Sequence, residues 1–438
     1  MIPTFHQIAP GLTLRAYPTE KFKAAMLSVS AVLPITRESV CKTSLLLAVL
    51  RRGTVKYPTL AAVNGRLDYL FGTELSVRNF YRGDSQIIGF SADFLDTVYV
   101  PREEMLLEGI LDVITQLLFH PLLDEDGLLL EKYVESEKEL QCESIRSLKN
   151  SPRAYASEKC RGLLYCDEPC GAPVYGDEEQ VMAITREELT AHWRSLLKDL
   201  RLDVFFVGRD EEYLRSALSR CLLPEMEAAC CQAPKGDAGL YRTFVAPKSE
   251  PLFAEASLPV SQGQLLLGYR TGVTLTDDDF YACTLLNEIL GASPISKLFM
   301  NVREKKSLCY YCSSTYNAYK GAILVSCGLE PRNRAVAEEE ILSQIESLRR
   351  GEISEEELSA AKQSLQNAYR QLLDSPAAME SYFYGRALTG VESSLDVCRE
   401  RINGVSAEAL VRVAKGLVLD TVYFLNGTLE GEDDYEDD

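Results

Sequence analysis

The chain is 438 residues long, 46% hydrophobic and 25% charged, a balance that excludes wholesale disorder and a fibrous repeat. At about 100–200 residues per domain, this length implies more than one core. Lys and Arg total 46 against 65 Asp and Glu, a formal net charge of −19, which argues against nucleic acid as a partner because phosphate binding needs a cationic face.

Strand-like text opens the chain at Thr13–Tyr17 and again at Lys23–Pro34, where apolar residues partly alternate. An apolar helical run, Thr43-Ser-Leu-Leu-Leu-Ala-Val-Leu-Arg-Arg-Gly53, then closes on two arginines and a glycine, as a helix C-terminus should. Strands are expected at Glu74–Tyr81 and Ser85–Asp93. Residues 103–165 read as long amphipathic helices, with Leu106, Leu107, Ile110, Val113, Ile114 and Leu117 keeping a helical period. Thr185, with Glu188 three residues on, predicts a capping box ahead of a helix that leads into the strand Leu202–Gly208.

The second half repeats this grammar. A strand at Gln264–Tyr269 precedes a helix over Phe280–Leu290, then strands at Leu308–Tyr316 and Ala322–Cys327, and helices over 334–350 and 354–373. A last helix follows Val405–Leu410 and runs into the strand Thr421–Gly427. The fold class expected is therefore α+β, two homologous domains, each a mixed β-sheet covered by helices. Domains are placed at 1–223 and 250–429, with a Pro- and Gly-containing linker at 224–249 and an acidic, disordered tail at 430–438.

No apolar stretch of about 18–20 residues predicts a membrane span. Met1–His6 lacks the basic and apolar segments of a signal peptide, and thirteen cysteines in odd number read as reduced thiols, so a cytoplasmic location is expected. The tightest groups are Cys160/Cys166/Cys170, Cys230–Cys231 and Cys309-Tyr-Tyr-Cys312. The first of these reads as buried or loop thiols. Of three histidines, His6, His120 and His192, the second lies before Pro121 at a helix end and the third within a helix beside Trp193. Their spacing fits no metal site, and capping or surface roles are expected for His120 and His192.

Ser296-Lys-Leu-Phe-Met-Asn-Val-Arg-Glu-Lys-Lys-Ser-Leu-Cys-Tyr310 resembles the arginine–tyrosine signature of the pitrilysin/insulinase peptidase family, and Ser313–Gly321 fits the same block. Gly53-Thr54 matches the pair that follows that family's zinc helix. The resemblance spans nearly the whole chain and implies a relative of processing peptidases, which pair two chains into a chamber. Active members carry His-x-x-Glu-His on the first helix, two imidazoles for zinc and a glutamate to activate water. Here those positions fall on Ser44, Leu47 and Ala48, and the later ligand glutamate on Ser144, with Glu137 as its upstream partner. Leucine and alanine have no donor atom, so no metal and no cofactor is expected in this chain. The resemblance also places Cys309 and Cys312 on one strand, facing opposite sides and unable to bridge.

What the resemblance leaves intact is Arg303 and Tyr310, which in family members contact substrate backbone. It implies a non-catalytic subunit of a heterodimer that binds unfolded peptide in a shared chamber, with zinc only in a paralogous partner; a homodimer is the other pairing. Alternatives are a stand-alone peptide-binding or scaffold protein, as in bacterial pairs linked to elongation factor P modification, and an active zinc metallopeptidase with atypical ligands.

Overall fold

The computed structural model describes residues 2–101, 105–229, 231 and 239–428. The acidic tail at 430–438, Cys230 and part of the 224–249 linker lie outside the described residues. In chain order the strands are β1 (Thr4–Ala9), β2 (Leu12–Pro18), β3 (Ala24–Pro34), β4 (Glu74–Arg82), β5 (Ser85–Leu95), β6 (Leu202–Gly208), β7 (Leu252–Leu258), β8 (Gly263–Arg270), β9 (Tyr311–Asn317), β10 (Ala322–Leu329) and β11 (Val418–Gly427). The helices are α1 (Ser39–Leu50), α2 (Leu60–Tyr69), α3 (Leu106–Phe119), α4 (Glu131–Ser147), α5 (Pro152–Leu164), α6 (Glu178–Ala183), α7 (Arg186–Lys198) and α8 (Glu211–Cys221). They continue with α9 (Leu223–Ala228), α10 (Phe280–Asn287), α11 (Arg334–Arg349), α12 (Glu355–Gln371), α13 (Pro376–Ala387), α14 (Leu395–Asn403) and α15 (Ala407–Lys415). Among the described residues no helix is long and apolar enough to cross a membrane.

One sheet runs β1-β2-β6-β3-β5-β4 and the other β7-β11-β8-β10-β9. β2 is parallel to β6 as β7 is to β11, and the remaining pairings are antiparallel. Without β1, the two sheets share one strand order and one set of directions. The repeat read from the sequence is thus a repeat of topology, and the α+β duplication stands. The capping box also forms: Glu188 N donates to Thr185 Oγ1 at 3.2 Å, and Thr185 N donates back to Glu188 Oε2 at 3.4 Å.

Contiguous domains do not form. The chain divides into two compact units, Met1–Arg146 with Ala172–Arg242 and Leu372–Glu392, and Ser147–Gly171 with Thr243–Gln371 and Ser393–Asp438. The boundaries expected at 1–223 and 250–429 are crossed because each central strand is apolar on both faces. Every residue of β6 and of β8 is buried, the pattern of a strand covered above and below. Helices nearby in sequence cover only one face.

In the first unit Val204 and Phe206 join a core with Leu27, Val29, Ile110 and Ile114, whereas the intervening Phe205 points the other way and meets Tyr384 of α13, ring centroids 6.4 Å apart. Tyr17 stacks on Phe383 at 5.5 Å. On the same helix Glu380 accepts from Arg78 Nη2 at 2.6 Å and from Ser28 Oγ at 3.2 Å, with both ionic side chains under 10% exposed. In the second unit α5 takes the corresponding place. Ala156 and Cys160 pack on Leu266, Tyr423 and Leu425, and Leu164 lies so close to β8 that a Cβ on Gly268 would meet it at 3.1 Å.

A buried ion pair broken from one side leaves an uncompensated charge. Glu380→Ala is expected to lower stability by about 3–5 kcal/mol, measured by denaturant unfolding. The apolar replacement Arg78→Met/Glu380→Leu should recover most of that loss.

Candidate functional site

The helix that carries Ser44, Leu47 and Ala48 is α1, and it lies between two cores. Cys41, Leu45, Leu46, Val49 and Leu50 pack against Val134, Leu189 and Trp193, while Leu47, 2% exposed, joins the core on the sheet. The chain leaves α1 through a tight turn. Thr54 N donates to Tyr57 O at 2.8 Å and Tyr57 N to Thr54 Oγ1 at 2.9 Å. A Cβ on Gly53 would sit 2.7 Å from the Pro58 carbonyl oxygen, so only glycine allows this return.

Beside α1 is a cavity of about 470 Å³, lined among others by Ser44, Ala48, Arg51, Arg52, Asn79 and Glu137. The sequence placed Ser44 and Ala48 there, and the structure brings them together. Leu47 belongs to the core and does not line the cavity. Ser144 is exposed on α4, two turns beyond Glu137, with its hydroxyl donating to Leu140 O at 2.9 Å; it is not among the lining residues. Arg51, Arg52 and Asn79 were not singled out from the sequence. The arginines read there only as a helix end, and Asn79 could have been found only by pairing it with Val77 on one face of β4.

Ser44 is fully engaged. Its hydroxyl has Val174 O at 2.6 Å and Val40 O at 3.0 Å as acceptors, and it accepts from Asn79 Nδ2 at 2.8 Å; Gln86 Nε2 in turn donates to Asn79 Oδ1 at 2.8 Å. Ala48 offers a methyl group. The one carboxylate on the cavity wall, Glu137, forms an ion pair with Arg52, whose Nη2 also donates to Ser136 Oγ at 2.9 Å. Two guanidiniums against one carboxylate repel a divalent cation, and among the described residues no imidazole or thiolate lines the cavity. This donor set does not fit zinc.

The three histidines stay apart. His6 pairs with Glu211, His120 Nε2 lies 2.8 Å from Glu225 Oε2 at the end of α3, and His192 on α7 bonds Thr43 Oγ1 on α1 at 2.9 Å. Burial, helped by the Lys42 charge, pushes the His192 imidazole down to about 4. His120 is the C-cap residue of α3, the capping role expected of it, whereas His192 is partly buried and holds a tertiary contact in place of a surface role.

Arg303 and Tyr310 belong to the second unit. α10 continues as a π-helical turn, Glu288–Ala292, and a second π-helical segment, Leu298–Lys305, carries Arg303. The guanidinium of Arg303 lies 4.8 Å over the Phe299 ring and 3.5 Å from Glu304 Oε1. The strand expected from Leu308 begins only at Tyr311, because Leu308 N donates to Val302 O at 3.1 Å and the chain bends at Tyr310. Tyr310 is anchored by its backbone N to Gly328 O at 2.8 Å and its side chain is half exposed.

Cys309 and Cys312 were expected on one strand; Cys309 lies outside it. The alternation of strand faces therefore does not apply to Cys309, while Cys312 is in register with Cys327 across β9 and β10. Cys160 and Cys170 are buried, as expected, and Cys166 is partly exposed.

A model of the peptidase M16 inactive domain matches residues 183–365. The Bacillus subtilis protein named "Probable inactive metalloprotease YmfF" is 30% identical over 419 residues, 95% of this chain and 96% of its own. The chain belongs to the M16 peptidase family. This is the pitrilysin/insulinase family whose signature residues 296–310 resemble. The M16 chain is also 22% identical to "Uncharacterized zinc protease YmxG" of B. subtilis, over 82% of this chain and 86% of that one. The crystal structure of a conserved protein from Enterococcus faecalis V583 superposes with a TM-score of 0.88 at 25% identity, covering 99% and 100% of the two chains. An M16 inactive domain from Pseudomonas fluorescens shares the fold, with a TM-score of 0.79 at 17% identity over 99% and 100%. With a match to the M16 inactive domain and a relative named a probable inactive metalloprotease over 95% of the chain, the chain is an inactive homologue of zinc metalloendopeptidases.

Two outcomes are expected. Elemental analysis of the purified protein should return no stoichiometric zinc. Between pH 6.5 and about 4 the unfolded His192 takes a proton that the folded one refuses, so stability should fall as pH drops through this window and level off below it. His192→Gln should flatten that fall by up to about 3 kcal/mol, read from chemical denaturation at each pH.

Proposed function

We propose that this chain is the non-catalytic subunit of an M16 peptidase pair, holding unfolded peptide in a chamber shared with a zinc-bearing paralogue. The observation that carries this reading is a cavity kept open where the zinc donors are gone, beside an unpaired sheet edge. Among the described residues β4 has a strand on one side only, and its Val77 and Asn79 line the cavity. An extended peptide binds such an edge through backbone hydrogen bonds, so it needs room and no metal.

Arg303 and Tyr310 supply the second part of the role. Both side chains reach solvent, and a guanidinium fork and a phenol donate hydrogen bonds to a peptide carbonyl. Placed beside a partner's zinc, they would stabilise charge developing on that oxygen. B. subtilis carries one relative named as an inactive metalloprotease and another named as a zinc protease, which supports a paired arrangement over a solitary one. The proposed location is the cytoplasm.

The purified chain mixed with the zinc-bearing paralogue of its native host should give a stable complex that cleaves unfolded peptides, an activity neither chain shows alone. Arg303→Ala/Tyr310→Phe should lower kcat of that complex by roughly a hundredfold without loss of assembly. Unchanged kcat would remove these residues from the role. A chain that binds peptide but never a paralogue would point to a stand-alone binding protein.

A further inference from the structure

The cavity beside α1 holds an unbalanced charge. Of its polar lining groups, Ser44 and Asn79 use their hydrogen bonds on each other, on the Val40 and Val174 carbonyls and on Gln86. Glu137 and Arg52 neutralise one another, and Arg52 Nη2 also donates to Ser136 Oγ at 2.9 Å. Arg51 is different. Among the described residues its guanidinium pairs with no carboxylate, and it donates a hydrogen bond only to Leu75 O, from Nη2 at 3.3 Å. Leu75 belongs to β4, so the guanidinium stands beside the strand whose Val77 and Asn79 line the cavity. Leu60, Val77, Leu140 and the Ala48 methyl group supply apolar wall around it.

We propose that this cavity takes an acidic side chain of a bound peptide, with Arg51 as its counter-ion, an assignment that rests on the cavity being a peptide site. A guanidinium offers parallel N–H donors that match the two oxygens of a carboxylate. One uncompensated positive charge suits a singly charged carboxylate better than a phosphate dianion, and the methylene stem of Glu or Asp would lie against Leu60 and Val77. A peptide added as a strand at β4 turns alternate side chains to one face. One residue can therefore present its carboxylate to Arg51 while its neighbours point away. At about 470 Å³ the cavity is larger than any single side chain, so charge and not size sets the preference. The chain as a whole carries −19, which repels an acidic peptide at long range. At physiological ionic strength exposed charges beyond about 8 Å are largely screened, and the local balance at Arg51 decides.

The test is fluorescence anisotropy with the full-length chain and unstructured peptides of one sequence, capped at both ends, that carry a single Glu or Gln at the centre. The Glu peptide should bind on the order of tenfold more tightly at about 0.15 M salt, and the gap should narrow at about 1 M. Arg51→Met should bring the Glu peptide down to the affinity of the Gln peptide, and Arg51→Lys should restore part of the preference. The Glu and Gln comparison uses the unmodified chain, so it holds even where a variant fails to fold. A third peptide, with Gln at the centre and a free C-terminal carboxylate, separates the two sources of that group. Tighter binding that follows the free terminus and ignores the central residue would overturn the proposal. So would equal binding of the Glu and Gln peptides, or a preference that Arg51→Met leaves intact. These three results leave the peptide site itself standing, whereas binding of none of the peptides would overturn the acidic preference together with the peptide site.

Discussion

Each sheet of this protein must be sealed on both faces, and each half of the chain contains helices enough near it for only one. The missing cover comes from far along the sequence: α13 lies on β3 and β6, and α5 on β8 and β11. Phe205 on Tyr384 and Leu164 against Gly268 are the contacts that decide it. The exchange also buries charge. Arg78 with Glu380 in one unit, and Glu168 with Arg270 at 2.6 Å in the other, tie the distant segment to its sheet. Such pairs contribute little net stability against apolar packing, yet a mispaired helix would strand a charge, so they favour one arrangement over others.

The same burial explains why α1 keeps its place without a metal. The helix is packed on both sides by aliphatic residues, and its polar position is satisfied inside the protein. Ser44, Asn79 and Gln86 form a chain of hydrogen bonds linking α1, β4 and β5. Arg52 and Glu137 join the end of α1 to α4. Hydrogen bonds and an ion pair hold α1, β4, β5 and α4 together, and the space beside them stays open.

The second unit concentrates recognising groups at one bend. Arg303 lies near the end of the π-helical segment, and Cys309 and Tyr310 between that segment and the first residue of β9. Irregular helix geometry and a strand that starts late leave these side chains outside the regular hydrogen-bond ladder, where they can meet solvent.

Periodicity and capping in the sequence determined most elements, the duplication and the absence of zinc donors, because these depend on local geometry and on side-chain chemistry alone. Thr185 with Glu188 and the apolar run of β6 were legible there, as was the helix that carries Ser44 and Ala48. Only the tertiary structure decided which helix covers which sheet face, since nothing local in residues 372–392 marks them as belonging with β3 and β6. It also decided which α4 residue faces the cavity. Spacing pointed to Ser144, but the ion pair with Arg52 puts Glu137 on the wall. Finally, the bend at Tyr310 left Cys309 outside β9, which strand periodicity in the sequence cannot show because the strand begins after it.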